Sequence, residues 1–318
     1  MTNPAATMSQ ANNKTAKARR TYRDVNGILL LDKPPGITSN RALQQANRIY
    51  QVRKAGHTGS LDPLASGMLP LCFGQATKVS GWLLDADKQY LVEMQIGTRT
   101  DTADADGQVV ASSERTSVGE AELEQALVPF RGEIEQIPPM YSALKQDGKR
   151  LYELARAGQE VERAPRPAVI HELRIEHFDS MRPQLFVRCG KGTYVRTLVE
   201  GIAEEMGTLA HVTALRRLAV GPFVDRPMVT LDQLEALAGD SAGLDELLIG
   251  SDQALLGMGE VRLAASEAFY LRHGHAVGHV QGQTGLVRVY DETGLFLGVG
   301  EIQPDGRVAP KRLFTVAA

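Results

Sequence analysis

The chain has 318 residues, 43% of them apolar and 23% charged, with 31 Gly, 15 Pro and two Cys. These fractions exclude a disordered or fibrous chain, and the length suffices for one large domain with a sizeable core plus a small one. Net charge is −3 but unevenly spread: residues 1–23 carry bases and no acid, and 227–261 carry acids and no Lys or Arg, so an RNA partner is not excluded by the average.

Residues 1–23, with Lys14, Lys17, Arg19, Arg20 and Arg23, lack apolar periodicity and are expected to form a flexible basic tail. They hold no apolar signal segment, and no run in the chain approaches the ~18 apolar residues of a membrane helix. Cys72 and Cys189 are too few for a disulfide framework or a zinc site. A cytoplasmic protein without membrane contact is the expectation.

Gly27 to Leu31 predicts a short buried strand, stopped by the rigid turn Asp32-Lys33-Pro34-Pro35-Gly36. Ser39 is the expected cap of a helix with Leu43, Ala46, Asn47 and Tyr50 on one face. A Gly-, Ser- and Pro-rich loop, Gly56 to Pro70, then sits inside an ordered region, where chemistry concentrates. Alternation of Tyr90, Val92, Met94 and Ile96 predicts a half-buried strand. Ser117-x-x-Glu120 reads as a capping box before a helix with Leu123, Ala126 and Leu127 inward.

Residues 138–167, bracketed by Pro138-Pro139 and Pro165-Arg166-Pro167, read as a basic insertion with a short helix ended by Gly158. Leu185, Val187 and Cys189 predict another strand. Beyond Gly190-Lys191-Gly192 it leads into a helix with Val195, Leu198, Val199, Ile202 and Met206 inward, stopped at Gly207. The acidic stretch 227–261, with a capping box at Thr230-x-x-Gln233, is the expected domain junction. Short β-runs after it (Leu286 to Tyr290, Leu295 to Ile302, Val308 to Val316) predict a small β-barrel-like module.

Gly190-Lys191-Gly192-Thr193 is not a phosphate-binding loop, because Leu185 stands where the first Gly is required and no Ser or Thr follows Lys191 directly. No GxGxxG joins a strand to a helix. Asp104-Ala105-Asp106-Gly107 echoes a calcium loop, but Thr102 and Ser113 fall at its terminal ligand positions. His273, His275 and His279 lack a Cys or carboxylate at ligand spacing. No cofactor and no metal are expected. Asp62, the only carboxylate of the Gly56–Pro70 loop, is then either a nucleophile or base acting alone or an Asx-turn residue, and local chemistry leaves the two open.

Gly56-His57-Thr58-Gly59-Ser60-Leu61-Asp62-Pro63 resembles the catalytic signature of the TruB family of tRNA pseudouridine-55 synthases. Leu31-Asp32-Lys33-Pro34, Lys88-Gln89-Tyr90, Gly97 to Asp104, Pro138 to Lys145, Gly190 to Leu198 and His211 to Arg217 resemble further motifs of that family, in its order. The last 70 residues more loosely resemble a PUA RNA-binding module, through Leu271-Arg272-x-Gly274. The resemblance implies an α+β fold: a catalytic domain over 24–250 on a mixed, mainly antiparallel sheet with flanking helices and an RNA-clamping insertion, then a PUA-like module over 251–318.

It also implies an isomerase that flips the T-loop uridine of tRNA out of its stack and converts it to pseudouridine. Asp62 would be the nucleophile, at C1′ or C6, kept ionised by Arg196. Tyr90 would stack on the uracil and take the C5 proton; Tyr194 and Leu215 would line the base pocket, and Lys33 and Pro34 its floor. His57 would support the opened T-loop, and Lys145, Lys149 and Arg150 would meet phosphates. Tyr194 and Arg196 can both face the site only if Tyr194 is still in an extended lead-in to its helix. The expected partner is the tRNA T-arm stem-loop, bound by a monomer with no obligate protein partner. Competing readings are a guide-RNA-dependent pseudouridine synthase subunit, a non-catalytic tRNA-folding chaperone, and a retaining nucleosidase, which needs a second carboxylate beside Asp62.

Overall fold

The computed structural model describes residues 22–142, 144–146, 148–278 and 284–315. Lys14, Lys17, Arg19, Arg20 and His279, and the side chains of Lys145, Arg150 and Arg156, lie outside what is described.

The first half of the chain builds β1 (Gly27–Lys33), α1 (Ser39–Tyr50), β2 (Ala55–His57), β3 (Ser66–Phe73), α2 (Ser80–Asp85) and β4 (Lys88–Ile96). A small hairpin follows, β5 (Thr98–Thr100) with β6 (Val109–Ser112), then α3 (Glu120–Leu127) and β7 (Gly132–Gln136). The predicted insertion contains the hairpin β8 (Lys145–Gln146) and β9 (Lys149–Arg150) and the short α4 (Leu151–Arg156). It closes earlier than expected, because Arg166 and Pro167 already pair with β7 as the start of β10 (Arg166–His177). Next come β11 (Gln184–Cys189), α5 (Val195–Glu205), β12 (Ala210–Val220), β13 (Val229–Thr230), α6 (Leu231–Ala236) and α7 (Ser241–Glu246). The C-terminal part holds β14 (Gly259–Leu263), α8 (Ala265–Arg272), β15 (Gly285–Asp291), β16 (Phe296–Ile302) and β17 (Val308–Leu313).

Nine strands form one mixed, mainly antiparallel sheet in the order β13-β1-β3-β12-β4-β11-β10-β7, with β2 paired to β3 as well. One face carries the large core under α1, α3 and α5, including Leu43, Ala46, Tyr50, Leu123, Leu198, Val199 and Ile202. The fold is therefore α+β, as the resemblance implied.

Two local expectations are corrected. Thr38, not Ser39, caps α1, accepting from the Arg41 N–H at 3.1 Å. Ser39 faces the core beside Ala42, Leu43 and Ala46, the stripe an i, i+3, i+4, i+7 spacing creates. α3 starts after Gly119 rather than Ser117, with Glu122 reaching back to the Gly119 N–H at 3.5 Å. The acidic stretch packs on the large sheet: β13 pairs with β1, Leu234 and Leu244 join the large core, and the Tyr50 hydroxyl donates to the Leu244 carbonyl at 2.7 Å. At Thr230 the expected capping box is present, with reciprocal bonds to Gln233 of 2.8 and 3.2 Å.

The C-terminal strands form an open four-stranded sheet, β14-β15-β16-β17, with α8 packed on it, rather than a closed barrel. A second core joins this sheet to the other face of the large one. Ile28, Leu30, Met68, Phe223, Leu255 and Val299 share it, with Phe296 and Phe314 packed against them. Among the described residues no helix is long and apolar enough to cross a membrane.

Candidate active site

The loop carrying Asp62 leaves the large sheet where β3 changes neighbours. Ser66 and Gly67 pair with Arg216 and Arg217 of β12, whereas Leu71 to Phe73 pair with β2. Residues 58–65 arch out of that gap. Gly67 makes the close approach feasible: its φ is +97°, and a Cβ there would lie 2.2 Å from the Arg217 carbonyl oxygen.

Three anchors hold the arch. Ser39 Oγ accepts from the Leu61 N–H at 2.7 Å and donates to the Leu61 carbonyl at 3.0 Å, one residue before Asp62. Lys33, with no exposed surface, donates to the carbonyls of Pro34 and Ile37 at 2.8 Å each and of Pro63 at 3.3 Å. On the far side Arg217 donates to the Gly59 carbonyl at 3.1 Å and the Met68 carbonyl at 2.7 Å. Asp62 is thus fixed through the backbone on both sides of it.

Its carboxylate meets the fork of Arg196, with Nε–Oδ2 at 2.9 Å and Nη2–Oδ1 at 3.2 Å, the bidentate geometry of a strong charge-assisted pair. The remaining Arg196 donors go to the carbonyls of Thr102 at 2.7 Å and Tyr141 at 2.8 Å. At 5% exposure Arg196 is a committed buried cation rather than a solvated first-turn arginine.

The carboxylate is not as solitary as its loop suggested. Asp104, 4% exposed, faces the same guanidinium at 3.7 Å. Its Oδ1 is already taken by the Thr102 hydroxyl at 2.5 Å and the Asp106 N–H at 3.2 Å, so it serves as a second support for Arg196. Burial raises the Asp62 pKa above the usual carboxylate range; Arg196 opposes that rise most, Asp104 adds to it and Lys33 also opposes it. The side chain keeps 37% of its surface exposed, so water still reaches the carboxylate and tempers the rise.

Tyr90 lies on β4 directly opposite Arg217 of β12, and Leu215 lies opposite Val92, two residues along the same face. Burial raises the Tyr90 pKa, opposed by the charge and hydrogen bonding of Arg217. Tyr194 is the residue before α5, extended at φ −102° and ψ 105°, as its sharing a site with Arg196 requires. Its backbone is gripped by the Gln136 side chain, with bonds of 3.0 and 3.3 Å.

His57 ends β2, half-buried, with its Nδ1 lacking a partner among the described residues; burial and the nearby Arg217 charge lower its pKa. Desolvation takes Lys33 down to about 8 despite the opposing pull of Asp62. Pro34 is half-buried and Lys149 is exposed on its hairpin. The structure therefore brings Asp62, Arg196, Lys33 and Pro34 together and puts Tyr90 and Leu215 on one sheet face. Of Lys145, Lys149 and Arg150, the insertion bases expected to meet phosphates, the side chain of Lys149 is the one described.

Three contributors carry no local sign of their role. Ser39 has the chemistry of a helix cap, but its place on the apolar stripe of α1 marks it as buried. Asp104 and Arg217 stood inside quoted motifs without a role, because nothing local reveals which buried partner a charged residue will find.

Three family models match the chain: the TruB family pseudouridylate synthase N-terminal domain over residues 47–195, the tRNA pseudouridylate synthase B C-terminal domain over 196–256, and the pseudouridine synthase II TruB C-terminal model over 259–314. Over 301 residues the chain is 51% identical to the tRNA pseudouridine synthase B of Pseudomonas fluorescens, covering 94% of this chain and 98% of that one. The protein of the same name from Pseudomonas aeruginosa is 50% identical, with 94% and 99% covered. Among solved structures, an archaeal box H/ACA sRNP Nop10-Cbf5 complex contains a chain similar in fold, with a TM-score of 0.68 at 23% identity over 92% of this chain and 87% of that one.

Proposed function

The chain belongs to the TruB family of pseudouridylate synthases and is a tRNA pseudouridine synthase, an isomerase; we propose that it acts on the T-loop uridine at position 55, with Asp62 as nucleophile and without cofactor or metal. The observation that carries this reading is the Asp62–Arg196 pair. A carboxylate held by a two-point fork, with more than a third of its side chain open to solvent, is oriented and reachable, and the guanidinium beside it favours the charged form a nucleophile needs.

The uridine is extruded from the T-arm stem-loop into the space in front of Asp62, an unstacking that costs a few kcal/mol. The N1–C1′ bond breaks, the uracil turns, and C5 bonds to C1′. A proton leaves C5 and one is gained at N1, so the reaction balances without an external electron or group donor. Tyr90 stacks on the base and receives the C5 proton; Leu215 and Tyr194 line the pocket. Lys33 and Pro34 form its floor and keep Pro63, hence Asp62, in place, and His57 props the opened T-loop. Lys145, Lys149 and Arg150 meet phosphates along the insertion.

The same reading takes 24–250 as the catalytic domain, 251–318 as a PUA-like RNA-binding module, and the protein as a cytoplasmic monomer. Half-identical relatives named tRNA pseudouridine synthase B, against 23% identity to the solved archaeal complex, favour action on tRNA without a guide RNA. Purified protein mixed with an unmodified T-arm stem-loop carrying C5-tritiated uridine should release tritium and leave one pseudouridine. Absence of release unless a guide RNA is added would overturn the reading.

A further inference from the structure

Arg217 is among the largest fully buried side chains, 1% exposed, and among the described residues no carboxylate lies within ion-pairing distance of it. A buried guanidinium without a counter-ion is costly, so a side chain kept there needs a use for its charge.

Its geometry supplies one. In the large sheet Arg217 has Gly67 of β3 on one side and Tyr90 of β4 on the other. Its Nε donates to the Met68 carbonyl and its Nη2 to that of Gly59, so it bridges the gap from which the Asp62 loop emerges. We infer that Arg217 is a positioning residue of the isomerisation, clamping the Asp62 loop to the Tyr90 strand and supplying the positive charge against which Tyr90 takes the C5 proton. The inference rests on the proposed role of Tyr90. In that step the proton moves from C5 to the Tyr90 phenolate oxygen, the C5–H bonding pair re-forms the C5=C6 double bond, and C6 gives up the pair it shared in exchange, to N1, which takes a proton, or to the departing Asp62 carboxylate where that had added at C6.

The groups around Tyr90 set the sign. Cys189 of β11 and Asp62 of the loop both disfavour its ionised form, and Arg217 favours it. Lys33, His57 and Lys88 stand in the same field, and each has its pKa lowered in part by Arg217. Removing the Arg217 charge raises the Tyr90 pKa, and at any pH below that pKa a tenfold weaker acid holds about a tenfold smaller ionised fraction.

The test is the single-turnover rate of C5-tritium release as a function of pH. Arg217→Met should be slowed by about tenfold or more at neutral pH, with a constant deficit that shrinks only as pH rises through the wild-type Tyr90 pKa, which burial holds above that of a free phenol. Arg217→Lys keeps the charge and loses the fork, so its deficit should be the same at every pH. If Arg217→Met does not fold, Arg217→Gln, equally neutral but able to donate to one carbonyl, carries the same expectation. A neutral variant in which the rise of the rate with pH levels off at the same pH as in the wild type, at whatever rate, overturns the inference and leaves the Tyr90 reading standing. Full tritium release by Tyr90→Phe overturns both.

Discussion

Two adjacent hydroxyls at the start of α1 do separate jobs, and a pair of substitutions should tell them apart. Thr38 caps the helix from an exposed position, whereas Ser39, 3% exposed, holds both backbone groups of Leu61. Thr38→Ala should cost about 1 kcal/mol, the usual value of an N-cap, and leave kcat on a T-arm stem-loop within twofold. Ser39→Ala strands a buried N–H and a buried carbonyl, at about 1–3 kcal/mol for a group left unsatisfied, unless the loop relaxes away from α1. Relaxation moves Asp62, and a misplacement of about 1 Å at a reacting group can cost on the order of a hundredfold. Ser39→Ala is therefore expected to lose roughly ten- to a hundredfold in kcat, with KM little changed. Urea unfolding and steady-state kinetics on both variants measure the two quantities. Equal effects on kcat from the two substitutions would refute the claim that Ser39 seats the catalytic loop.

Lys33 titrates at about 8 in the folded chain against 10.5 as a free side chain, so between those values the unfolded state binds more protons and this group makes the fold more stable as pH rises. The stability of the wild type relative to Lys33→Met should accordingly grow by up to about 1.4 kcal/mol per pH unit across that window, and a flat or falling difference in urea unfolding at pH 7 to 10 would contradict it. Asp104 raises the Asp62 pKa; Asp104→Asn should therefore move the acid limb of kcat, where Asp62 becomes protonated, to lower pH, and a limb that stays or moves up would count against the placement. Deleting the chain from residue 252 onward uncovers Ile28, Leu30, Met68 and Phe223, so the truncated protein should show a lower Tm and aggregate; an unchanged Tm would mean the two cores are independent.

What the sequence disclosed and what it withheld divide along physical lines. The strands around Ile28, Val92 and Val187 and the helix at Leu198 were readable because burial imposes a period on neighbouring residues. The Thr230 cap was readable because all of its partners lie within four residues. The Asp62 loop stood out through its Gly and Pro content, and the family resemblance located its partners. The Arg217–Gly59 clamp and the Arg196–Asp104 contact join residues 158 and 92 apart, and no local pattern encodes such pairs. The same reason hid Ser39, whose hydroxyl fits a cap as well as it fits a loop anchor, and the acidic stretch, whose Leu234 and Leu244 are too sparse to announce that they belong to the core.

The central claim is that Asp62 is the nucleophile of the isomerisation. Asp62→Asn preserves the shape and removes the negative charge, so the decisive measurement compares binding and turnover of one C5-tritiated T-arm stem-loop by this variant and the wild type. The account predicts an affinity within about tenfold of the wild type and no tritium release above background. Release at a substantial fraction of the wild-type rate, in a preparation free of the wild-type enzyme, would contradict it.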